Sequence, residues 1–231
     1  MKNKIWNYSI VLMGFVLIFS IGCKKDNLKP DSSAFGSMLD IDGNVYKTIT
    51  IGGQIWMAEN LKTTKYRNGT SITNAEGVTE WINDTAGAYC NYNNDANNSI
   101  IYGKLYNWNA VNNGQNIAPT GWHVPSKAEW EILITYLGEQ DAGSKLKENG
   151  TTHWNYFPYT EGTNQTGFTA LPGGCRLETG VFTNIGDNGY WWTSTEYGEL
   201  SYSRTISYKS KNVINYNYFR KAGFSVRCVK D

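Results

Sequence analysis

The chain has 231 residues, with 21 Lys and Arg against 20 Asp and Glu, so its formal net charge at pH 7 is +1. This balance excludes the strongly basic surface that nucleic-acid binding requires. A chain of this length can form one domain, or two small ones, with a substantial hydrophobic core.

The first residues have the pattern of a secretion signal. Lys2 and Lys4 precede an apolar run at residues 10–19, which is shorter than the roughly 20 residues of a membrane-spanning helix. Cys23 follows a small residue after this run, as in the bacterial lipobox, and that resemblance implies cleavage before Cys23 and diacylglycerol on its sulfur. Residues 1–22 are therefore predicted to be a lipoprotein signal peptide. The alternative is an ordinary signal peptide.

Such an anchor predicts a protein attached to the membrane in the bacterial cell envelope, at the outer membrane, on its periplasmic or its surface face. Residues 23–39 contain Pro, Ser and charged residues without any hydrophobic period. This composition predicts a tether between the lipid and a folded domain at residues 40–231.

The domain is predicted to open with a β-hairpin. Residues 45–51 and 54–61 carry β-branched residues in alternation with polar ones, and Gly52 and Gly53 separate them. A two-residue Gly-Gly connection suits a type I′ or type II′ turn.

Residues 62–118 are rich in Asn, Gly, Thr and Tyr and lack a periodic apolar face, which predicts long loops with internal hydrogen bonds. Isolated apolar residues are predicted to pin these loops: Ile72, Trp81, Ile82, Ile100 and Ile101. The Asn-rich stretch 91–98 could offer oxygens to calcium, but Asp95 is its one carboxylate. A loop that caps itself is the favoured interpretation.

The clearest helix signal lies at residues 126–138. Ser126 and Glu129 have the spacing of a capping box, and Pro125 disfavours helix upstream. Apolar residues recur at helical spacing and Gly138 supplies a stop. That apolar stripe consists of Trp130, Leu133, Ile134 and Leu137. A second, short helix is predicted at residues 141–150.

Strands and turns are predicted for the rest of the chain. Residues 168–171 and 189–195 have strand composition, and the Pro-Gly-Gly at 172–174 predicts a turn. In the last part, alternation predicts a three-stranded meander. Its strands would be residues 202–208, 213–219 and 224–229.

Three cysteines remain once Cys23 is assigned to the lipid. Outside the cytoplasm they allow one disulfide, and a bridge between Cys90 and Cys228 is favoured because it would tie the last predicted strand to the middle of the chain. The alternative is three reduced, buried thiols. No Cys-x-x-Cys or pair of nearby histidines occurs, so neither a metal site nor a cofactor is predicted.

Six segments in order resemble the Fibrobacter succinogenes major paralogous domain. They are residues 42–47 with 56–61, then 102–108, 121–130, 171–174, 189–195 and 223–229. The likeness extends from about residue 40 to the end of the chain. Members of that family are largely secreted or lipid-anchored bacterial proteins without an established activity, so the resemblance implies a location and leaves the function open.

A weaker resemblance concerns the fold. Residues 125–131 and 223–227 are similar to signatures of formylglycine-generating enzymes. The likeness implies an α+β, C-type-lectin-like domain with two helices, twisted antiparallel sheets and long ordered loops. Those enzymes bind copper through paired cysteines, whereas Cys228 stands alone in its motif, so their activity is not implied.

Few side chains could perform catalysis. Of the two histidines, His123 is predicted to be buried and to hold loop carbonyls, and His153 to be a loop residue. Glu129 and Glu131 are two residues apart, which on a helix points them in different directions and disfavours a glycosidase pair. A non-catalytic protein is therefore predicted. The alternatives are an enzyme on the same fold and a structural envelope component.

Aromatic residues make up 14% of the chain. The tryptophans within the family segments are predicted to be core: Trp56, Trp108, Trp122, Trp130, Trp191 and Trp192. Between residues 197 and 220, tyrosines mix with Ser, Asn, Lys and Arg as they do in antibody paratopes. We expect the contacts to a glycan or protein ligand there, and half-buried strand residues are the alternative. The predicted contacts are Tyr197, Tyr202, Arg204, Tyr208, Tyr216 and Tyr218.

Overall fold

The computed structural model describes residues 35–231, so the predicted signal peptide, Cys23 and most of the predicted tether lie outside the described residues. The described part is an α+β domain of three β-sheets and five short α-helices. The strands are β1 (Phe35–Leu39), β2 (Val45–Ile51), β3 (Gln54–Met57), β4 (Thr73–Asn74), β5 (Ala88–Cys90), β6 (Leu105–Tyr106), β7 (Trp122–His123), β8 (Gly173–Arg176), β9 (Phe182–Ile185), β10 (Asn188–Tyr197), β11 (Leu200–Ser207), β12 (Val213–Phe219) and β13 (Val229–Lys230). The helices are α1 (Val78–Asn83), α2 (Ala96–Tyr102), α3 (Trp108–Val111), α4 (Lys127–Leu137) and α5 (Ala142–Leu146).

The first sheet has the strand order β1-β2-β3-β13-β7 and contains the predicted hairpin. Ile51 pairs with Gln54 across the two glycines, and Gly52 has a φ of +59° whereas Gly53 is outside the left-handed region. One positive φ, at the first turn residue, fits type II′ rather than type I′. The last strand, β13, pairs with β3 and with β7, so the end of the chain closes this sheet.

Strand β1 corrects the predicted boundary of the domain. It pairs antiparallel with β2 from Phe35 opposite Ile49 to Leu39 opposite Val45, within the segment expected to be tether. The tether is predicted from the Pro, Ser and charged residues of the whole segment, whereas its last five residues, Phe-Gly-Ser-Met-Leu, are paired with β2 by backbone hydrogen bonds.

The second sheet has the order β12-β11-β10-β8-β9. Strands β10, β11 and β12 form an antiparallel meander, so the first two predicted strands are confirmed, but the third is wrong. Residues 222–229 are buried throughout and make single bridges to Tyr106, Arg176 and Trp191 before entering β13. This segment passes between the sheets and is buried on all sides. Its alternating residue types therefore do not mark a strand with one buried and one exposed face.

The third sheet, β4-β5-β6, and helices α1 to α3 lie within the stretch predicted as long loops. The prediction of two helices is therefore wrong, since the described domain has five. Helices α1 to α3 could not be recognised in the sequence, because they have only four to seven residues and are too short to show a helical period. Ile72 and Trp81 are buried anchors, as predicted. Ile100 is 70% exposed and Ile101 is also exposed, because α2 turns Ser99 inward instead.

Helix α4 confirms the predicted capping box. Ser126 Oγ accepts a hydrogen bond from the backbone N–H of Glu129, and the Glu129 carboxylate accepts one from the backbone N–H of Ser126 at 2.8 Å. Helix α5 is also found but ends early, at Leu146. Lys147 then turns inward, and its ammonium donates to the carbonyls of Thr160, Ser207 and Ser210.

Residues 168–174 differ from the prediction. The expected strand at 168–171 is wrong, since it makes only a single bridge, between Ala170 and Lys147. The expected turn is the start of β8, which begins at Gly173. Gly174 has a φ of +64°, and a Cβ there would lie 2.5 Å from the carbonyl oxygen of Thr183, so the glycine is needed for close strand packing rather than for a turn.

The core confirms the prediction for the tryptophans, since all six tryptophans of the family segments are buried. Trp130 of α4 packs against Trp56 of β3 at 5.0 Å between ring centroids and against Trp191 of β10 at 6.4 Å. Helix α4 is thereby fixed between the first and second sheets.

The predicted disulfide between Cys90 and Cys228 is wrong for this structure. Cys90, Cys175 and Cys228 are all free and buried. Cys90 packs in the small cluster beneath the third sheet, whereas Cys228 lies in the main core between β3 and β7. The three thiols act as small apolar residues, which is the alternative that the sequence left open.

Candidate functional site

The second sheet separates the six predicted contact residues between its two faces. Directly paired residues of antiparallel strands project to the same face, and neighbours along a strand project to opposite faces. Tyr202 pairs with Asn217, whereas Tyr216 pairs with Ser203. Tyr202 and Tyr216 therefore lie on opposite faces, and the six residues do not form one surface.

Tyr197, which is exposed, and Tyr202, which is half-buried, form an aromatic pair on the face that also carries α4. Their ring centroids are 5.1 Å apart with an interplanar angle of 60°, and Tyr197 is 51% exposed. The irregular register between Trp192 and Glu196 lies just before Tyr197 and twists the end of β10. The ammonium of Lys127 lies 5.1 Å from the centre of the Tyr202 ring, a cation–π distance.

Charged residues of α4 border this pair. The ammonium of Lys127 forms an ion pair with the carboxylate of Glu131 at 3.1 Å, and both side chains are partly exposed. We call the patch formed by Tyr197, Tyr202, Lys127 and Glu131 the tyrosine surface. Sequence analysis missed Lys127 and Glu131 as members, because their helix and β11 are far apart in the chain.

Arg204 lies beneath the tyrosine surface instead of on it. Its side chain is 2% exposed, and it donates to the carbonyl of Lys127 at 3.0 Å, to Glu131 at 3.4 Å and to Asn215. It links α4 to β11 and β12 and can position Lys127. It is therefore a positioning residue and not the direct ligand contact that the sequence predicted.

The other three tyrosines lie elsewhere. Tyr218 packs edge-on against Phe224 of the core at 4.9 Å, and Tyr216, which is 47% exposed, lies beside it on the face opposite the tyrosine surface. Tyr208 follows the end of β11 and packs at right angles against Phe157. The predicted tyrosines are thus divided, because only Tyr197 and Tyr202 belong to the tyrosine surface.

His123 is half-exposed and bonds to carboxylates, so the prediction of a buried histidine holding loop carbonyls is wrong. Its Nε2 lies 2.7 Å from Glu129 and its Nδ1 lies 2.7 Å from Asp231. Partial burial alone would lower the pKa of His123, but the hydrogen bonds from these two carboxylates outweigh it and raise the pKa. Both ring nitrogens are occupied, so the ring holds two segments together.

His153 lies in a loop, as predicted, where Nδ1 contacts the carboxylate of Glu148 at 2.8 Å. The Asn-rich stretch 91–98 caps itself, since Asp95 accepts the backbone N–H of Asn97 at the start of α2. Within residues 35–231, no group of three His, Cys, Asp or Glu side chains is placed to hold a metal ion.

The thiols are poorly suited to nucleophilic chemistry. Burial raises the pKa of Cys90 and of Cys175 to about 12 and also raises that of Cys228. Because the thiolate is the reactive form, these cysteines are inert near neutral pH.

The family model of the Fibrobacter succinogenes major domain matches residues 49–230. Comparison with curated proteins and with solved structures gave no match. In the part of the chain that the structure describes, no helix is both long and apolar enough to cross a membrane.

Proposed function

Since this chain belongs to the Fibrobacter succinogenes major domain family, we propose that it is a lipid-anchored protein of the bacterial cell envelope whose domain binds a glycan or another protein without changing it chemically. The observation that carries this proposal is the tyrosine surface. The exposed ring of Tyr197, the half-buried ring of Tyr202, an ammonium and a carboxylate meet there on rigid elements.

Such a surface suits recognition for physical reasons. Tyrosine has few rotatable bonds, so it supplies contact area to a sugar ring or a peptide at low entropic cost. Lys127 and Glu131 offer a donor and an acceptor beside the rings. Arg204 and the Trp130 contact fix α4 against the sheet, so little ordering is required on binding.

The occupied ring nitrogens of His123 and the inert buried thiols support a non-catalytic role over an enzymatic one. We also propose that the domain is C-type-lectin-like. The α+β composition, the antiparallel meander and the long segments with little regular structure support that proposal.

The binding proposal is tested on a glycan and peptide array with wild-type protein and a Tyr197→Ala/Tyr202→Ala double variant. We expect wild type to bind at least one ligand and the double variant to lose about tenfold or more in affinity, since exposed aromatic anchors dominate such contacts. Tyr216→Ala is the matched control, because Tyr216 is similarly exposed on the opposite face. A wild-type protein without any ligand, or an equal loss in the control, would count against the proposal.

The anchor, proposed for the outer membrane, is tested by changing Cys23 to Ala and separating membrane from soluble fractions. The variant should move to the soluble fraction, because one sulfur carries the lipid in the proposed arrangement. Membrane association that persists unchanged would refute the anchor, whatever the array shows.

A further inference from the structure

A groove of about 350 Å³ lies away from the tyrosine surface and shares no residue with it. It opens between the turn before β2, the segment that follows β3, and α2. Its walls include Asn44, Lys62, Asn91, Ser99, Ile100 and Lys104. Its volume is in the range of small-molecule sites, which begin at about 300 Å³.

Lys104 is a partly buried cation with neutral partners. Its Nζ donates to Asn91 Oδ1 at 3.1 Å and lies 4.6 Å from the centre of the Tyr89 ring. It takes part in none of the ion pairs formed within residues 35–231. Burial lowers the pKa of Lys104, which reflects the cost of holding an ammonium there.

The one carboxylate in the groove wall is already compensated. Asp42 accepts hydrogen bonds from the backbone N–H and the hydroxyl of Thr64, at 2.6 and 2.9 Å, and forms an ion pair with Lys65 at 3.1 Å. The Asp42 carboxylate thus forms its hydrogen bonds and its ion pair with residues of the loop that follows β3. Asp42 is near enough to raise the pKa of Lys104 against the larger effect of burial, but it forms no ion pair with Lys104, which therefore lacks a dedicated counter-ion among the described residues.

A second lysine stands next to Lys104. The backbone N–H of Lys104 donates to the carbonyl of Leu61 at 3.1 Å, which brings the backbone at Lys104 beside that at Lys62. Lys62 also lines the groove and is absent from the ion pairs within residues 35–231. Two lysines that line the same groove and form no ion pair within the described domain favour an anionic ligand.

The other residues of the groove wall indicate which kind of anionic ligand would fit. Asn44, Asn91 and Ser99 offer amide and hydroxyl groups, which match sugar hydroxyls. Ile100 is 70% exposed and does not pack into the core. In the groove wall it offers an apolar surface to the C–H face of a sugar ring.

We propose that this groove binds a carboxylate-bearing saccharide, such as a uronic acid, with the carboxylate at Lys62 and Lys104 and the hydroxyls at the Asn and Ser side chains. This inference goes beyond the proposed function, because it assigns a second site with its own ligand chemistry. Binding should weaken as salt concentration rises, since an ion pair contributes to it.

The test is isothermal titration calorimetry of the full-length protein in detergent with sodium glucuronate, glucose and inorganic phosphate. We expect glucuronate to bind at least about tenfold more tightly than glucose or phosphate, since it alone offers both the carboxylate and the hydroxyls. Lys104→Met and Lys62→Gln should each weaken glucuronate binding by about tenfold.

Lys211→Gln is the matched control, because Lys211 lines a different groove near the end of α4 and should leave binding unchanged. Should Lys104→Met unfold, which circular dichroism would show, Lys62→Gln carries the test. Equal binding of phosphate or glucose, no heat with glucuronate, or unaffected affinity in Lys62→Gln would overturn the proposal. The Tyr197→Ala/Tyr202→Ala variant should still bind glucuronate, so the two proposed sites can fail independently.

Discussion

Arg227 and Asn60 show at the scale of single residues what the family segments do in the fold. Asn60 Oδ1 accepts hydrogen bonds from the guanidinium of Arg227 and from the indole N–H of Trp191 at 2.9 Å. The guanidinium also donates to the carbonyls of Phe168 and Thr169. Residues from three separate segments thus meet in the core, which indicates a structural role for them.

Replacing Arg227 with Lys should lower the free energy of unfolding by about 3 kcal/mol. A single ammonium cannot donate to Asn60 and to the two carbonyls at once, as the planar guanidinium does. Urea unfolding followed by tryptophan fluorescence measures this loss. Arg220→Lys is the control, since Arg220 is partly exposed and water can replace its bonds, so the loss should stay under about 1 kcal/mol. Equal losses in both variants would contradict the role of Arg227.

Asp231→Asn should lower the pKa of His123, because it removes one of the two carboxylates that hold the imidazolium. NMR titration of the His123 ring measures this shift. Because the pKa of His123 is higher in the folded domain than in the unfolded chain, protonation of His123 stabilises the fold. This stabilisation is fully present below the unfolded pKa of about 6.5 and is lost as pH rises through the folded pKa.

The stability advantage of wild type over His123→Gln should accordingly be larger at pH 5.5 than at pH 9. Both values are measured by urea unfolding. Glu129, whose pKa is lowered by its bonds to Ser126 and His123 despite the opposing effect of burial, stays charged across this range. An unchanged His123 pKa in Asp231→Asn would show that Asp231 does not act on the ring.

At the scale of elements, α4 joins the parts of the molecule. Its capping residue Glu129 also bonds His123 of β7, and the backbone N–H of Lys127 donates to Thr195 of β10 at 3.0 Å. Its buried stripe faces the tryptophan cluster, while Lys127 and Glu131 reach the tyrosine surface. One helix therefore links the first sheet, the second sheet and the candidate binding surface.

Ser126→Ala should cost about 1 kcal/mol of unfolding free energy, the usual loss when an N-cap hydroxyl is removed. Chemical denaturation followed by far-UV circular dichroism is the measurement. Ser194→Ala provides a matched control on β10, since Ser194 is exposed and only its backbone bonds to Pro125. The cap would have no energetic role if the two serine variants had the same midpoint.

At the scale of the whole molecule, the domain is held by packing and hydrogen bonds rather than by a covalent bridge. Strand β13 closes the first sheet, and residues 222–229 thread between sheets. The three thiols lie in this interior without a bond between them.

Thiol counting tests this arrangement. In a Cys23→Ala background, Ellman's reagent should modify no thiol of the native protein near neutral pH and all three in guanidinium without reductant, because burial both shields the thiols and raises their pKa. A single reactive thiol after denaturation would instead establish a disulfide.

Features that depend on near neighbours in the chain could be predicted from the sequence. The capping box joins residues three apart, the Gly-Gly turn joins adjacent strands, and the six tryptophans of the family segments are buried as their size and apolar surface favour. Six family segments in order likewise identified the family, which the family model confirmed.

Features that depend on residues far apart in the chain could be seen only in the folded domain. Asp231 reaches His123 across 108 positions, and Arg227 reaches Asn60 across 167. The pairing register placed Tyr202 and Tyr216 on opposite faces of one sheet, and folding placed Lys62 and Lys104 in the wall of one groove. Composition reports which side chains are present, but register and chain crossing determine which of them meet.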